Sequence, residues 1–420
     1  MKKLFNIILL ASALTACDNR DNDQAQVLPY LDRSLNDTSF VGYHCLADYS
    51  PDQIHAGIAV LGDFQTSSDL TELFVASDFF DNINGREKPD ELHDFAGETI
   101  LPVLDLANAP YEGYLEAENP DAIRETAVAM AVASLGKHCY SNMYEEGMGA
   151  ERLPSKAIVI ASPYLCAYAF SDICQLFHSY PPVISAVDRM FISGLDSIKG
   201  DGAVLMAPQE ELDRGIYRKV WDRLSCGEEK LADYAEVPVL EEGLRASFFA
   251  LLDSCYVSGR SLRRLMYVPS EVLSHNGLEK LLEEVRTSPG IEMENYRSVL
   301  APDFKFVDAY REAVKATYLL LRERNLFTHR IAYPQVQAFV TVPANDIPLE
   351  SNDFGGRIAL KYKYNHPADA NVEVFRTVAL SMLYIPEKEF KRIDQLSETV
   401  LLNIYRLTGE KYRKCRTIIS

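Results

Sequence analysis

The stretch KAIVIAS at 156–162, followed by PYLCAYAFSDICQLF at 163–177, decides the fold class. The first part is a mainly apolar run rich in isoleucine and valine, which predicts a strand buried on both faces. The second part begins with a proline, which suits a first helical turn, and continues with apolar residues at helical spacing. A buried strand that leads into an amphipathic helix is the repeating unit of a parallel sheet covered by helices.

The same alternation continues on both sides of this stretch. Further strands are predicted at GIAVLGD (57–63), ETILPVLD (98–105), PPVISAV (181–187), GAVLMAP (202–208), RRLMYVP (263–269), FKFVD (304–308) and QAFVTV (337–342). Helical segments such as DAIRETAVAMAVASL (121–135) separate them, and residues 80–97 and 138–155 resemble inserted loops. We therefore predict an α/β protein with two lobes built on parallel sheets. Ligands of such sheets bind at the carboxyl ends of the strands. Those ends are Asp63, Asp105, Ser162, Asp188, Pro208 and Pro269.

The N-terminus, MKKLFNIILLASALTAC, has the pattern of an export signal. Its apolar run, residues 4–14, is shorter than the roughly 20 residues that span a bilayer. The ending LTA before Cys17 resembles the lipobox of bacterial lipoproteins, in which a lipid is attached to the cysteine. We expect a signal peptide at 1–16 and a polar tether at 17–50. A lipid on Cys17 would hold the protein to a bacterial membrane, facing the periplasm or the cell exterior. The alternative is an ordinary secretory signal in which Cys17 falls by chance.

Composition limits the function classes. The chain has 420 residues, enough for two domains, and a formal net charge of −19, which disfavours binding to phosphate backbones of nucleic acids. Its eight cysteines include no CxxC pair, and no histidine–cysteine cluster has the spacing of a zinc site. We expect neither a metal nor a cofactor.

Several segments resemble, in collinear order, glutamate racemase and the wider aspartate/glutamate racemase superfamily. They cover roughly residues 57–360: DLANAPY (105–111), 156–177, PPVISAV, GAVLMAPQEELDRGIYRKVWDRL (202–224), EVPVLEEGL (236–244), FKFVDAYREAV (304–314) and QAFVTVPANDIPLESNDFGGRI (337–358). The resemblance implies that residues 51–200 form part of a first lobe, that 201–305 form a second lobe and that 306–360 return to the first lobe. Residues 361–420 would form a C-terminal helical extension, with helical periodicity in LSETVLLNIYRLTG (396–409).

The sequence differs from the family at the positions that carry the family's catalytic residues. The resemblance implies a cofactor-independent isomerase in which two cysteines move the Cα proton, because a thiol can act as acid or base near neutrality. Ser162 occupies the first cysteine position, and the second region, Val268-Pro269-Ser270, contains no thiol. Asp63 is displaced by one residue from the family's first aspartate. Racemisation by thiols is therefore expected to be lost.

The candidate site residues each have two interpretations. Asp63 is a catalytic base or amine-binding carboxylate, or the N-cap of the next helix. Ser162 is a catalytic or carboxylate-binding hydroxyl, or a helix cap. Pro110, Tyr111 and Tyr164 line a ligand pocket, or close it. Cys166, one turn beyond Ser162, replaces the missing thiol or is a buried structural cysteine. His275 is a displaced relative of the family's second-motif histidine, or a structural one.

The sequence is compatible with three functions. The first is a degenerate racemase fold kept as a binding lipoprotein for a small acidic metabolite or a partner protein. The second is an active racemase or isomerase whose bases are not cysteines, Asp63 and Ser162 foremost. The third is a periplasmic solute-binding lipoprotein of similar two-lobed form.

Overall fold

The computed structural model describes residues 28–50, 54–178, 180–195, 202–226, 232–330, 332–350 and 357–380. They belong to two compact units. The first unit contains Leu28–Ile184 and the described residues from Val314 onward, and the second contains Ser185–Ala313. The expected signal peptide, Cys17 and the helical segment at 396–409 lie outside the described residues.

The strands, in chain order, are β1 (Gly57–Asp63), β2 (Thr99–Asp105), β3 (His138–Cys139), β4 (Ala150–Glu151), β5 (Ser155–Ile160), β6 (Val183–Ser185), β7 (Ala203–Ala207), β8 (Ala235–Pro238), β9 (Leu262–Tyr267), β10 (Leu300–Asp308), β11 (Gln335–Val336), β12 (Phe339–Pro343) and β13 (Phe375–Ala379).

The helices are α1 (Pro29–Asn36), α2 (Val41–Ala47), α3 (Phe64–Ala76), α4 (Glu112–Glu116), α5 (Pro120–Ala133), α6 (Pro163–Tyr168), α7 (Phe170–Phe177), α8 (Ala186–Leu195), α9 (Gln209–Asp213), α10 (Ile216–Ser225), α11 (Leu244–Ser258), α12 (His275–Thr287), α13 (Ile291–Val299), α14 (Ala309–Glu323) and α15 (Leu360–Lys363).

Parallel pairing dominates both sheets, which confirms the α/β class. The first sheet has the order β13-β12-β2-β1-β5-β6, with β11 also beside β2. Strand β1 pairs in parallel with β2 and β5, and β12 pairs in parallel with β2. The second unit contains a sheet of order β10-β9-β7-β8 in which every pair is parallel. In both sheets the carboxyl ends of the parallel strands therefore share one edge.

The first sheet is buried because its central strands carry apolar side chains on both faces. Ile58 to Leu61 of β1 and Ala157 to Ile160 of β5 have no exposed surface. At the end of β1, a Cβ on Gly62 would lie 2.5 Å from Oγ1 of Thr66 and 3.2 Å from the backbone nitrogen of Ser162. Only glycine allows this close approach, so Gly62 brings the ends of β1 and β5 together.

The second unit has its own apolar core. Met206, Leu265 and Tyr267 of the sheet pack with Phe248 and Leu252 of α11. Folding of this unit therefore buries one face of the second sheet under α11, as expected for an α/β unit.

The structure departs from the expected polar tether over residues 29–47, which form α1 and α2. Leu28 and Leu31 are 2% exposed, so burial of apolar side chains draws this segment onto the first unit. The backbone nitrogen of Tyr30 also donates a 3.0 Å hydrogen bond to Oε1 of Glu125 in α5.

A second departure concerns the C-terminal extension, which was expected to be helical. Residues 375–379 instead form β13, which extends the first sheet as the antiparallel neighbour of β12. The expected loop at 138–155 contains the short β3–β4 hairpin. Within the ranges that the structure covers, no helix is both long and apolar enough to cross a membrane.

Candidate functional site

Asp63 and Asp105 are direct neighbours at the carboxyl edge of the first sheet, because they are register partners on β1 and β2. Asp63 is also the N-cap of α3: its carboxylate accepts hydrogen bonds from the Thr66 backbone nitrogen at 2.9 Å and from Thr66 Oγ1 at 2.8 Å. Phe64 turns into the core, where it is 4% exposed. Burial raises the pKa of Asp63, the Thr66 hydrogen bonds oppose this, and the charge of Asp105 adds to it.

Asp105 is the centre of a buried polar network. Its carboxylate accepts hydrogen bonds from Asn108 Nδ2 at 2.8 Å, from the Tyr111 hydroxyl at 2.8 Å and from Thr341 Oγ1. The Thr341 hydroxyl in turn accepts a hydrogen bond from the backbone nitrogen of Ala107 at 3.0 Å. The network therefore fixes the loop after β2 against β12. Sequence reasoning missed Asn108 and Thr341; the spacing of Asp105 and Asn108 in DLANAPY was the available signal for the first.

Tyr111 and Tyr164 lie next to each other beside this network. Their ring centroids are 6.2 Å apart, and Tyr111 is 1% exposed. Burial, followed by the nearby charge of Asp105, raises the pKa of Tyr111 well above its usual range, so the hydroxyl stays protonated and donates to Asp105. Pro110 is exposed, and its peptide bond to Ala109 is cis.

Ser162 lies at the end of β5 and precedes Pro163, the first residue of α6. Its side chain is fully buried and makes no capping hydrogen bond. Its Oγ has no hydrogen-bond partner within the described part of the chain. The cap interpretation thus holds for the backbone position but not for the hydroxyl.

Cys166 of α6 contacts the last residue of β5. Its Sγ donates to the carbonyl oxygen of Ile160 at 3.4 Å, and the side chain has no exposed surface. The thiol is held inside the strand–helix unit, which favours the structural interpretation. No cysteine lies at the carboxyl ends of the described strands β1, β2, β5 and β12.

Lys363 of α15 is a further residue that sequence reasoning missed. It is 5% exposed, and its Nζ donates to the carbonyl oxygen of Ala109 at 2.5 Å. Burial lowers its pKa to about 8, although the charges of Asp105 and Glu112 oppose the shift. No sequence motif marks this lysine, because it acquires its place only through the fold.

The second unit carries its own polar cluster at the carboxyl ends of β9 and β10. The Tyr267 hydroxyl lies 2.9 Å from Nδ1 of His275 and donates to Oδ2 of Asp308 at 3.3 Å. Burial raises the pKa of Asp308 to about 6, against the hydrogen bonds from the first turn of α14 and the charge of Arg311. His275 is therefore part of an acid–tyrosine–histidine cluster.

The predicted site residues thus separate into two groups. Asp63, Pro110, Tyr111, Ser162 and Tyr164 belong to the first unit, at or just beyond strand ends. Asp188 belongs to the second unit, where Arg223 Nη2 contacts its Oδ2 at 2.8 Å and Ser185 donates to it. Across the described ranges, no group of three or more histidine, cysteine or acidic residues is arranged to hold a metal ion.

No protein-family model matches this chain, and no curated protein does. Solved structures of glutamate racemases are similar to it. The isoform RacE1 from Bacillus anthracis aligns at 15% identity with a TM-score of 0.40, over 69% of this chain and 89% of that one. The enzyme from Francisella tularensis, solved with D-glutamate, aligns at 17% identity and 0.40, over 70% and 90%. The Thermus thermophilus enzyme, solved with beta-chloro-D-alanine, aligns at 16% identity and 0.40, over 79% and 99%. Similarities at this level of identity and TM-score assign no role to any residue.

Proposed function

We propose that this protein is a lipid-anchored, racemase-like protein of the bacterial envelope that binds a small acidic metabolite and has lost thiol-based racemisation. The collinear racemase-like segments support the relationship, and the sequence before Cys17 supports the anchor. The proposed binding site is the carboxyl edge of the first sheet, around Ser162, Asn108 and Lys363.

The observation that carries this proposal is that the buried hydroxyl of Ser162 has no hydrogen-bond partner in the described chain. Abstraction of a Cα proton requires a base, and a serine hydroxyl becomes one only when a neighbouring group accepts its proton. Ser162 Oγ is buried without a hydrogen bond to any described base. The side chain at the thiol position can therefore donate to a ligand but is not activated to deprotonate it.

The same edge has unused capacity for binding. Oδ1 of Asn108 and Oγ of Ser162 are both buried without a partner in the described chain, and leaving such groups unpaired costs about 1–3 kcal/mol each. Lys363 adds a buried positive charge beside the loop after β2. Hydroxyl and ammonium donors together favour a ligand that carries a carboxylate.

The decisive experiment tests for Cα proton exchange. The full-length chain in mild detergent is incubated in deuterated water with D- and L-glutamate and D- and L-aspartate, and NMR follows the Cα proton. We expect no loss of signal beyond the protein-free control. Exchange that disappears in Asp63→Asn or Ser162→Ala would refute the proposal and establish an enzyme with unusual bases.

Binding is tested by the midpoint of thermal unfolding, Tm, with the same four amino acids. A ligand that binds only the folded state raises Tm, and Ser162→Ala or Lys363→Met should weaken that increase. Lys361→Met is the matched control, because Lys361 is an exposed neighbour in the same helix. Equal ligand effects in all three variants would place the site elsewhere.

An active isomerase with carboxylate bases is the second candidate. Two observations favour it: burial raises the pKa of Asp63, and the pKa of Asp308 is raised to about 6 beside Tyr267 and His275. Carboxyl groups whose pKa values lie closer to neutrality are better suited to general acid–base catalysis. If exchange is seen, loss in Asp308→Asn with retention in Ser162→Ala would favour this candidate.

A further inference from the structure

A cavity of about 500 Å³ lies at the opposite end of the first sheet from Ser162. His55, which precedes β1, and Leu153 and Pro154, which precede β5, line one part of it. The β3–β4 hairpin and the residues that flank it line another part, with Lys137, His138, Glu151 and Arg152. Its volume is within the range of small-molecule sites, which is about 300–1,000 Å³.

The lining has the opposite charge character to the whole chain. Lys137 and Arg152 are the cationic residues of the lining, whereas Glu151 is the one acidic residue among the lining residues. The chain as a whole has a net charge of −19. A basic cavity on such an acidic protein attracts anions locally against the surrounding field.

Arg152 is a buried cation whose hydrogen-bond donors are unused. It is 5% exposed, and all three of its guanidinium nitrogens lack a hydrogen-bond partner in the described chain. Its guanidinium carbon lies 3.9 Å from the centroid of the Phe339 ring, a contact that leaves the N–H donors unused. A guanidinium has five such donors, and an unpaired buried charge is costly.

Two other arginines, one buried and one half-buried, have hydrogen-bond partners for their terminal guanidinium nitrogens. Arg264, 8% exposed, donates to the carbonyl oxygens of Arg263 and Asp303 at 2.8 and 2.7 Å. Arg124 binds the Asp172 carboxylate through two nitrogens at 2.9 and 2.7 Å. Around Arg152 the neighbouring ionisable groups are instead the thiols of Cys45 and Cys139, whose pKa values burial raises, so both stay neutral. Burial lowers the pKa of Arg152 to about 10, which leaves it protonated at neutral pH.

We propose that this cavity is a binding site for a small organic anion, whose carboxylate or phosphate group binds Arg152. A carboxylate or phosphate matches the planar fork of the guanidinium with two parallel hydrogen bonds. Lys137, an exposed residue just before β3, supplies further positive charge, and Leu153 and Pro154 provide apolar surface for the rest of the ligand. The site lies at the amino ends of β1 and β5, so it does not depend on the proposed function of the carboxyl edge.

The test is titration calorimetry of the full-length chain with inorganic phosphate and with pimelate, a flexible dicarboxylate; 1,7-heptanediol is the uncharged control. We expect saturable binding of one or both anions and none of the diol. Arg152→Leu should weaken binding at least tenfold, which corresponds to about 1.4 kcal/mol. Binding of pimelate alone would show that the site selects carboxylates with an apolar chain, and binding of phosphate alone would show selection for the phosphate group.

Two further variants keep the test decisive if Arg152→Leu fails to fold. Arg152→Lys keeps the charge but loses the planar fork, and Lys137→Gln changes only an exposed side chain; both should weaken binding. Lys280→Gln, exposed on α12 of the second unit, is the matched control and should bind like the unchanged chain. Ser162→Ala should also leave this binding intact, which separates the cavity from the carboxyl edge. Absence of anion binding, or equal binding by the Arg152 and Lys137 variants, would overturn the inference.

Discussion

Tyr111 donates a hydrogen bond to Asp105 across 2.8 Å, and both side chains are at most 1% exposed. The contact joins the loop after β2 to the end of that strand. Asn108 and Thr341 donate two further hydrogen bonds to the same carboxyl group. The Asp105 side chain is therefore a buried structural anchor whose oxygens accept hydrogen bonds from three side-chain donors.

Removal of the Tyr111 hydroxyl tests this anchor. Tyr111→Phe keeps the ring but takes one donor from a buried carboxylate, so we expect the free energy of unfolding to fall by about 1.5–3 kcal/mol. Urea denaturation followed by circular dichroism measures the change. Tyr256→Phe, at a site 48% exposed, is the control and should be neutral. A neutral result for Tyr111→Phe would show that the hydrogen bond adds nothing to stability.

A buried ion pair at the other end of β2 leads to a second prediction. Lys156 Nζ lies 2.7 Å from Glu98 Oε2, with side-chain exposures of 0% and 1%. Lys156 also donates to the carbonyl oxygens of Ile54 and Leu326 at 2.9 and 2.6 Å. Glu98→Gln would leave the ammonium without its counter-charge and should cost about 3–5 kcal/mol. The double variant Glu98→Gln, Lys156→Met should recover part of that loss in the same denaturation assay. A double variant as unstable as the single one would contradict the charge argument.

The buried strands could be predicted from sequence because each is an uninterrupted apolar run. GIAVLGD at 57–63 coincides with β1, and GAVLMAP differs from β7 by one residue at each end. PPVISAV was predicted too long, since α8 begins at Ala186, directly after β6. Strand β13 was missed because it lies at a sheet edge, where only Val378 is fully buried and the periodicity is weak.

Only those residues of the candidate site that are close to one another in sequence could be predicted to lie together. Asp105, Pro110 and Tyr111 are close in sequence, so a strand end followed by a turn predicted their proximity. Thr341 bonds Asp105 from 236 residues away, and only the pairing of β12 with β2 brings it there. The buried Lys363 likewise depends on tertiary structure, because neither its spacing nor its neighbours distinguish it from a solvated lysine.

Thiol reactivity provides a third prediction. Cys226 is exposed, whereas Cys139 and Cys255 are buried and their pKa values are raised by burial. Alkylation requires an accessible thiolate, so iodoacetamide should modify Cys226 roughly 100-fold faster than either buried cysteine in the native protein. Peptide mass spectrometry measures each rate, and urea should remove the differences. Rapid native alkylation of Cys166 would contradict its burial and would reopen its interpretation as a replacement thiol.

The last prediction concerns pH and Asp308, whose pKa burial raises to about 6 from 3.8. Between these values the folded protein binds this proton more tightly than the unfolded chain, so stability from Asp308 is fully present below about pH 3.8 and is lost as pH rises through about 6. The loss is on the order of 3 kcal/mol. Asp308→Asn keeps an acceptor for the backbone donors of α14 and cannot ionise, so its stability should fall less between pH 4 and pH 7. Urea denaturation at both pH values gives the difference, and Asp346→Asn, at an exposed position, serves as the control. If Asp308→Asn and the unchanged chain lose the same stability over this interval, Asp308 does not titrate there and its role as a candidate acid or base fails with it.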